Sequence, residues 1–91
     1  MDNLIKKNNK QLIQETLTFS ASCSGGESIN VSNTCNNIST VIGIVSIQGG
    51  AEYAWLKNIS FSGNTVTCKI GNSRSSGGPQ SGTYTVVVTG Y

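Results

Sequence analysis

Between residues 16 and 23 polar and apolar side chains alternate without a miss, with Thr16, Thr18, Ser20 and Ser22 on one parity and Leu17, Phe19, Ala21 and Cys23 on the other. A period of two belongs to a strand that buries one face. Ser24, Gly25 and Gly26 break the pattern, residues 28–32 restore it, and residues 33–37 read as a loop. Residues 38–47 form the most apolar stretch, rich in Val, Ile and Thr, and are expected to be a centrally placed strand. After a turn at Gln48, Gly49 and Gly50, the segment from Ala51 puts Tyr53 and Trp55 on one parity and Glu52 and Ala54 on the other. Residues 59–70 carry the clearest hairpin: alternation, Ser62-Gly63-Asn64 as the turn, then alternation again. A polar loop is expected over residues 71–81, followed by a last strand in which Tyr84, Val86 and Val88 face one way.

Six or seven short strands with turn signals every 8–12 residues or so predict an all-β fold, a small antiparallel β-sandwich of immunoglobulin-like architecture, with a small barrel as the alternative. The antibody signature itself is absent, since Trp55 lies far along the chain from the first core cysteine, Cys23. Residues 1–14 stand apart from this rhythm. Leu4, Ile5, Leu12 and Ile13 spread too widely around a helix for an amphipathic face, so this segment reads as a tail or short helix preceding one β domain over residues 15–91. Those four apolar residues are the ones that would dock on a neighbouring subunit or partner.

Composition narrows the function. Charged residues make up 11% of the chain, against roughly 25% in ordinary soluble domains, while 13 Ser, 9 Thr and 10 Asn furnish an uncharged polar surface. There is no His, and Asp2 is the only Asp, so Ser–His and Cys–His nucleophile schemes lack their base. Past residue 15, Glu27 and Glu52 are the only carboxylates of the strand region, and a glycosidase would need them paired across a cleft rimmed by sugar-binding aromatics. No enzyme activity, cofactor or metal site is expected. Cys23, Cys35 and Cys68 do not complete a tetrahedral zinc site, and an odd number argues for free thiols, with a Cys23–Cys35 bridge or a Cys23–Cys68 cross-link as alternatives.

From residue 16 onward Lys57, Lys69 and Arg74 face Glu27 and Glu52, which is no basic stripe, so nucleic acid is not an expected partner. No apolar run reaches the roughly 20 residues of a membrane span, and the first ten residues do not read as a signal peptide. What remains is recognition of a neutral surface, a cell-surface glycan or another protein's backbone, through aromatic side chains. Tyr53, Trp55 and Tyr91 are the candidate binding residues, with core packing as the competing role for Trp55 and subunit stacking as one role for Tyr91.

The run Ile-Ser-Phe-Ser-Gly-Asn-Thr-Val-Thr at residues 59–67, Gly71-Asn72, and the ending Gly-Thr-Tyr-Thr-Val-Val-Val-Thr-Gly-Tyr at residues 82–91 resemble small β-modules of bacteriophage tail proteins. The resemblance covers about the last 35 residues. It implies a structural or binding component of a virion or prophage-encoded particle, in assembly or host-surface attachment. Its partners would be proteins or further copies of itself in a homo-oligomer, and it would reside in the virion, or in the bacterial cytoplasm before assembly. The alternative is a carbohydrate-binding or adhesin-like module of a bacterial surface protein. No catalytic residue carries over.

Overall fold

The computed structural model describes residues 11–91, and they form six strands and no helix: β1 (Ile13–Cys23), β2 (Ser28–Thr34), β3 (Val41–Gly49), β4 (Ala54–Ser62), β5 (Thr65–Asn72) and β6 (Gln80–Gly90). They make two three-stranded antiparallel sheets, ordered β1-β6-β3 and β2-β5-β4. Leu4, Ile5 and the rest of the expected tail over residues 1–10 lie outside the described residues. The strand rhythm starts two residues earlier than expected, because Ile13 already pairs with Gly90. Among the described residues no helix is long and apolar enough to cross a membrane.

The core lies between the two sheets. Leu17 and Phe19 of β1, Tyr84, Val86 and Val88 of β6 and Val41 of β3 meet Val66, Cys68 and Ile70 of β5, with Cys35 and Ile38 joining from the β2–β3 connection. The central strands β5 and β6 therefore alternate most cleanly between core and outside. The outward positions hold the Ser and Thr that dominate the composition, and several pair directly across strands: Ser20 with Thr83 at 3.0 Å, Ser32 with Thr67 at 2.9 Å and Thr34 with Thr65 at 3.3 Å. Such hydroxyl pairs contribute roughly 0.2–1 kcal/mol each and leave little need for surface charge.

The expected hairpin is present. Gly63 and Asn64 form its two-residue turn between the paired Ser62 and Thr65, and only Gly63 takes a positive φ, 58°. A glycine at the first central position is what a type II′ turn requires.

Other expectations are corrected. Residues 38–47 do not form a central strand: β3 lies at the edge of its sheet. Its near-continuous apolarity comes from two irregularities, between Val41 and Gly43 and between Ile44 and Ser46, which take Ile42 and Val45 out of the alternation and leave both exposed. Bulges of this kind blunt an edge against further pairing. The polar loop is shorter than residues 71–81, since Gly71 and Asn72 are buried in β5. Cys35 sits in the core rather than in an open loop, and Cys23, Cys35 and Cys68 are all free and buried. Burial raises the pKa of the Cys68 thiol, and burial together with the charge of Glu15 raises that of Cys35. The strand order also departs from the immunoglobulin pattern, in which the first two strands share a sheet. Here β1 and β2 lie in different sheets, and the pairing is nested, β1 with β6 and β2 with β5.

Glu15 holds the β2–β3 connection against β1. Its carboxylate accepts the backbone N–H groups of Asn36 at 2.7 Å and Asn37 at 2.8 Å. These bonds, first Asn36 and then Asn37, lower its pKa from the ordinary value of 4.5 against the opposing effect of burial. A depressed folded-state pKa means that the stabilisation is complete above the unfolded pKa and is lost as pH falls through the folded one. Glu15→Gln is expected to cost about 1 kcal/mol at neutral pH, discounted for partial solvent exposure. Urea denaturation should show this gap at pH 7 and should show it closing as the medium is acidified below the carboxylate range.

Candidate binding face

The outer face of the β2-β5-β4 sheet follows from the register. Val66, Cys68 and Ile70 of the central strand point into the core, so Thr65, Thr67, Lys69 and Gly71 point outward together with their cross-strand partners. The partners of Gly71 are Ser28 and Trp55, those of Lys69 are Asn30 and Lys57, and those of Thr67 are Ser32 and Ser60. Trp55 is thus on the outside of the sheet and not in the core. It is nevertheless half-buried, because Gly71 opposite it has no side chain and the indole lies over the vacant position: a β-carbon there would collide with Cζ2, Cε2 and Cη2 of the ring. The Nζ of Lys57, two residues on along the same face, sits over the ring 4.9 Å from its centroid.

Lys57 and Lys69 are directly opposite each other in the ladder. Immediately after Lys57 the strand is irregular, and Asn58 takes a left-handed φ of 56°. Asn tolerates that conformation better than most residues, and a bulge re-aims the side chains beside it.

Tyr53 lies just beyond β4, in the turn closed by the N–H of Ala54 donating to Ala51 O at 3.1 Å. Its carbonyl accepts the Ser73 N–H at 2.7 Å, so the ladder from Trp55 and Gly71 runs on to Tyr53 and Ser73. Tyr53 is 37% exposed, with the Arg74 guanidinium 5.1 Å from the centroid of its ring. All three cations of the described residues therefore stand beside this end of the face, two of them on aromatic rings.

Asn72 fixes this end of the fold from within. It is 2% exposed, donates through Nδ2 to Cys23 O at 3.0 Å and accepts the Arg74 N–H through Oδ1 at 3.0 Å. Its backbone N–H donates to Glu27 O and its carbonyl accepts from Gly26, which ties the β1–β2 turn to β5. Beside it runs an open groove of roughly 510 Å³, lined by Ser22, Cys23, Glu27, Ser28, Ile29 and Pro79. Ser28 belongs both to this groove and to the row of Gly71 and Trp55. The groove offers one carboxylate, Glu27, and one buried thiol, Cys23, whose S–H is directed at Ile70 O at 3.5 Å. Among the described residues no three of Cys, Asp and Glu gather as a metal-binding group.

The three candidate aromatics are not brought together. Tyr53 and Trp55 are neighbours, whereas Tyr91 follows β6 at the opposite end, where its carbonyl accepts the N–H groups of Ser39 and Thr40 at 2.9 Å each. Sequence reasoning missed Gly71, Lys69 and Asn72. Gly71 and Asn72 read as loop in the sequence, and the pairing of Lys69 with Lys57 depends on a register that crosses the bulge. Against known proteins, no family model, curated protein or solved structure matches this chain.

Proposed function

We propose that this chain is a non-enzymatic binding module, a component of a phage tail or prophage-encoded particle, and that it attaches to a host surface by holding a glycan on the face around Trp55. The observation behind this reading is the outward indole laid over Gly71, with Ser28 in its own cross-strand row, Asn30 in the next and the bonded Ser32 and Thr67 one row further along the same face. An aromatic plane takes the apolar face of a sugar ring, and nearby hydroxyls and amides pair with its hydroxyls. The phage context is supported by the resemblance at residues 59–67, 71–72 and 82–91. The nested strand order supports reading the two sheets as a shortened jelly roll rather than as the immunoglobulin-like sandwich, and jelly rolls carry capsid and lectin domains. An adhesin-like module of a bacterial surface protein would use the same face.

A glycan array probed with the native protein and with Trp55→Ala tests this. The native protein is expected to retain glycans that the variant loses by about tenfold or more, the scale of a stacked aromatic plus a hydrogen bond, while the variant keeps its β-sheet circular dichroism. Equal retention by both proteins, or none by either, would refute the assignment of the face.

A further inference from the structure

We infer that the ligand of this face is an acidic glycan, whose sugar ring stacks on Trp55 while its carboxylate lies between Lys57 and Lys69. This rests on the glycan reading above and names the class of sugar.

The charges on this face are arranged unfavourably in the free protein. Like charges directly opposite across strands are destabilising. From residue 11 onward the chain contains only three cations, and two of them, Lys57 and Lys69, occupy one cross-strand pair on the outer face. The third member of that row is the uncharged Asn30, and the next row along holds Ser32, Thr67 and Ser60. No carboxylate has a place in these rows: Glu27 and Glu52 belong to the turns beyond the Trp55 row, and Glu15 is engaged on the other sheet with Asn36 and Asn37. An anion between Lys57 and Lys69 turns the repulsion into two charge-assisted contacts.

The neighbouring row specifies what bears the anion. The indole of Trp55 rests with one face on Gly71, and Lys57 stands over the ring. A cation–π contact at the surface is weak, so the flexible ammonium gives way to a ring that brings its own negative charge and then meets that charge one row on. Ser28 and Asn30 flank the same two rows and suit sugar hydroxyls. A nucleic acid fits less well, since one indole and two lysines on a strand face make neither a base-stacking series nor a phosphate track.

The test uses the full chain and paired probes: oligogalacturonate, alginate and polysialic acid oligomers, each beside its carboxyl-reduced counterpart, and a single-stranded oligothymidylate. Binding to at least one acidic oligomer is expected, at least tenfold stronger than to its reduced form and weakening with salt. Lys57→Gln and Lys69→Gln should each lose about tenfold or more, because each removes one charge-assisted contact. Glycan binding that depends on Trp55 but is equal for acidic and reduced forms would overturn this inference and leave the glycan reading standing. Absence of binding to every glycan on the array would remove both. Preference for oligothymidylate would replace the sugar with nucleic acid. A ligand-free readout accompanies these: Lys69→Gln leaves Lys57 on the indole, so the Tm of the free protein should rise by about 2 °C at low ionic strength and the gain should vanish in high salt. A fall in Tm would mean that the pair is not repulsive and would overturn the inference.

Discussion

Phe19→Ala is expected to remove a large part of the chain's folding stability, whereas Phe61→Ala should be tolerated. Phe19 is 2% exposed, packed in the core among residues of both sheets, and paired in register with Tyr84. Removing a buried phenyl ring costs about 3–5 kcal/mol, as transfer energy plus the residual cavity. A domain of this size has a total stability of only about 5–14 kcal/mol at roughly 0.05–0.15 kcal/mol per residue, so the loss takes from about a fifth to nearly all of it. Phe61 also has core parity, opposite Val66, yet it is 40% exposed where β4 runs out toward the hairpin turn. Its removal gives up only part of the ring's burial, about 1 kcal/mol by area. Urea midpoints of the two variants measured side by side should differ widely. Equal midpoints would mean that the sheets do not enclose the core described above.

That pair of phenylalanines also marks how far the alternation of side chains can be read. It identified β1, the β4–β5 hairpin and the inward set Tyr84, Val86 and Val88, because β1, β5, β6 and the part of β4 beyond its irregularity at Asn58 run without interruption and keep one face on the core. It misleads at β3, whose apolar content points to a central position although the strand lies at the edge of its sheet. Two bulges put Ile42 and Val45 outside the alternation, and the hydrophobicity of an edge strand then looks continuous. It could not decide between the core and the surface for Trp55, because parity says which side chains share a face but not which face meets the other sheet. The small residue opposite resolved the position of the indole, and that opposition depends on the β4–β5 register across the irregularity at Asn58. Asn72 escaped for a different reason. A polar residue after Gly reads as loop, whereas here the amide replaces the missing backbone partners where β1 ends and the loop after β5 begins.

Gly71→Ala is the substitution that should separate the fold from the binding face. Gly71 lies in the middle strand of its sheet, so the backbone has no objection to a β-carbon: alanine in a strand removes the entropic penalty of glycine, about 0.5–1 kcal/mol. The obstacle is the indole, whose six-membered ring occupies the space the methyl group would need. Of the two, the indole yields, because Trp55 is on the outer face and has solvent to move into, while β5 is held on both sides by β2 and β4. Moving the ring off the sheet gives up part of its apolar contact, on the order of 1–2 kcal/mol, which the alanine gain offsets in part. Net destabilisation should therefore stay at about 1 kcal/mol or less. Recognition should suffer far more, with glycan affinity falling as far as it does in Trp55→Ala, because the ring no longer lies flat between Ser28 and Lys57. Trp55 is the only tryptophan in the chain, so its fluorescence reports the event directly: the emission maximum should move to the red as the indole is hydrated, while the thermal transition stays near that of the native protein. An unshifted spectrum would show that the ring never rested on Gly71, and the face built on that contact would have to be abandoned.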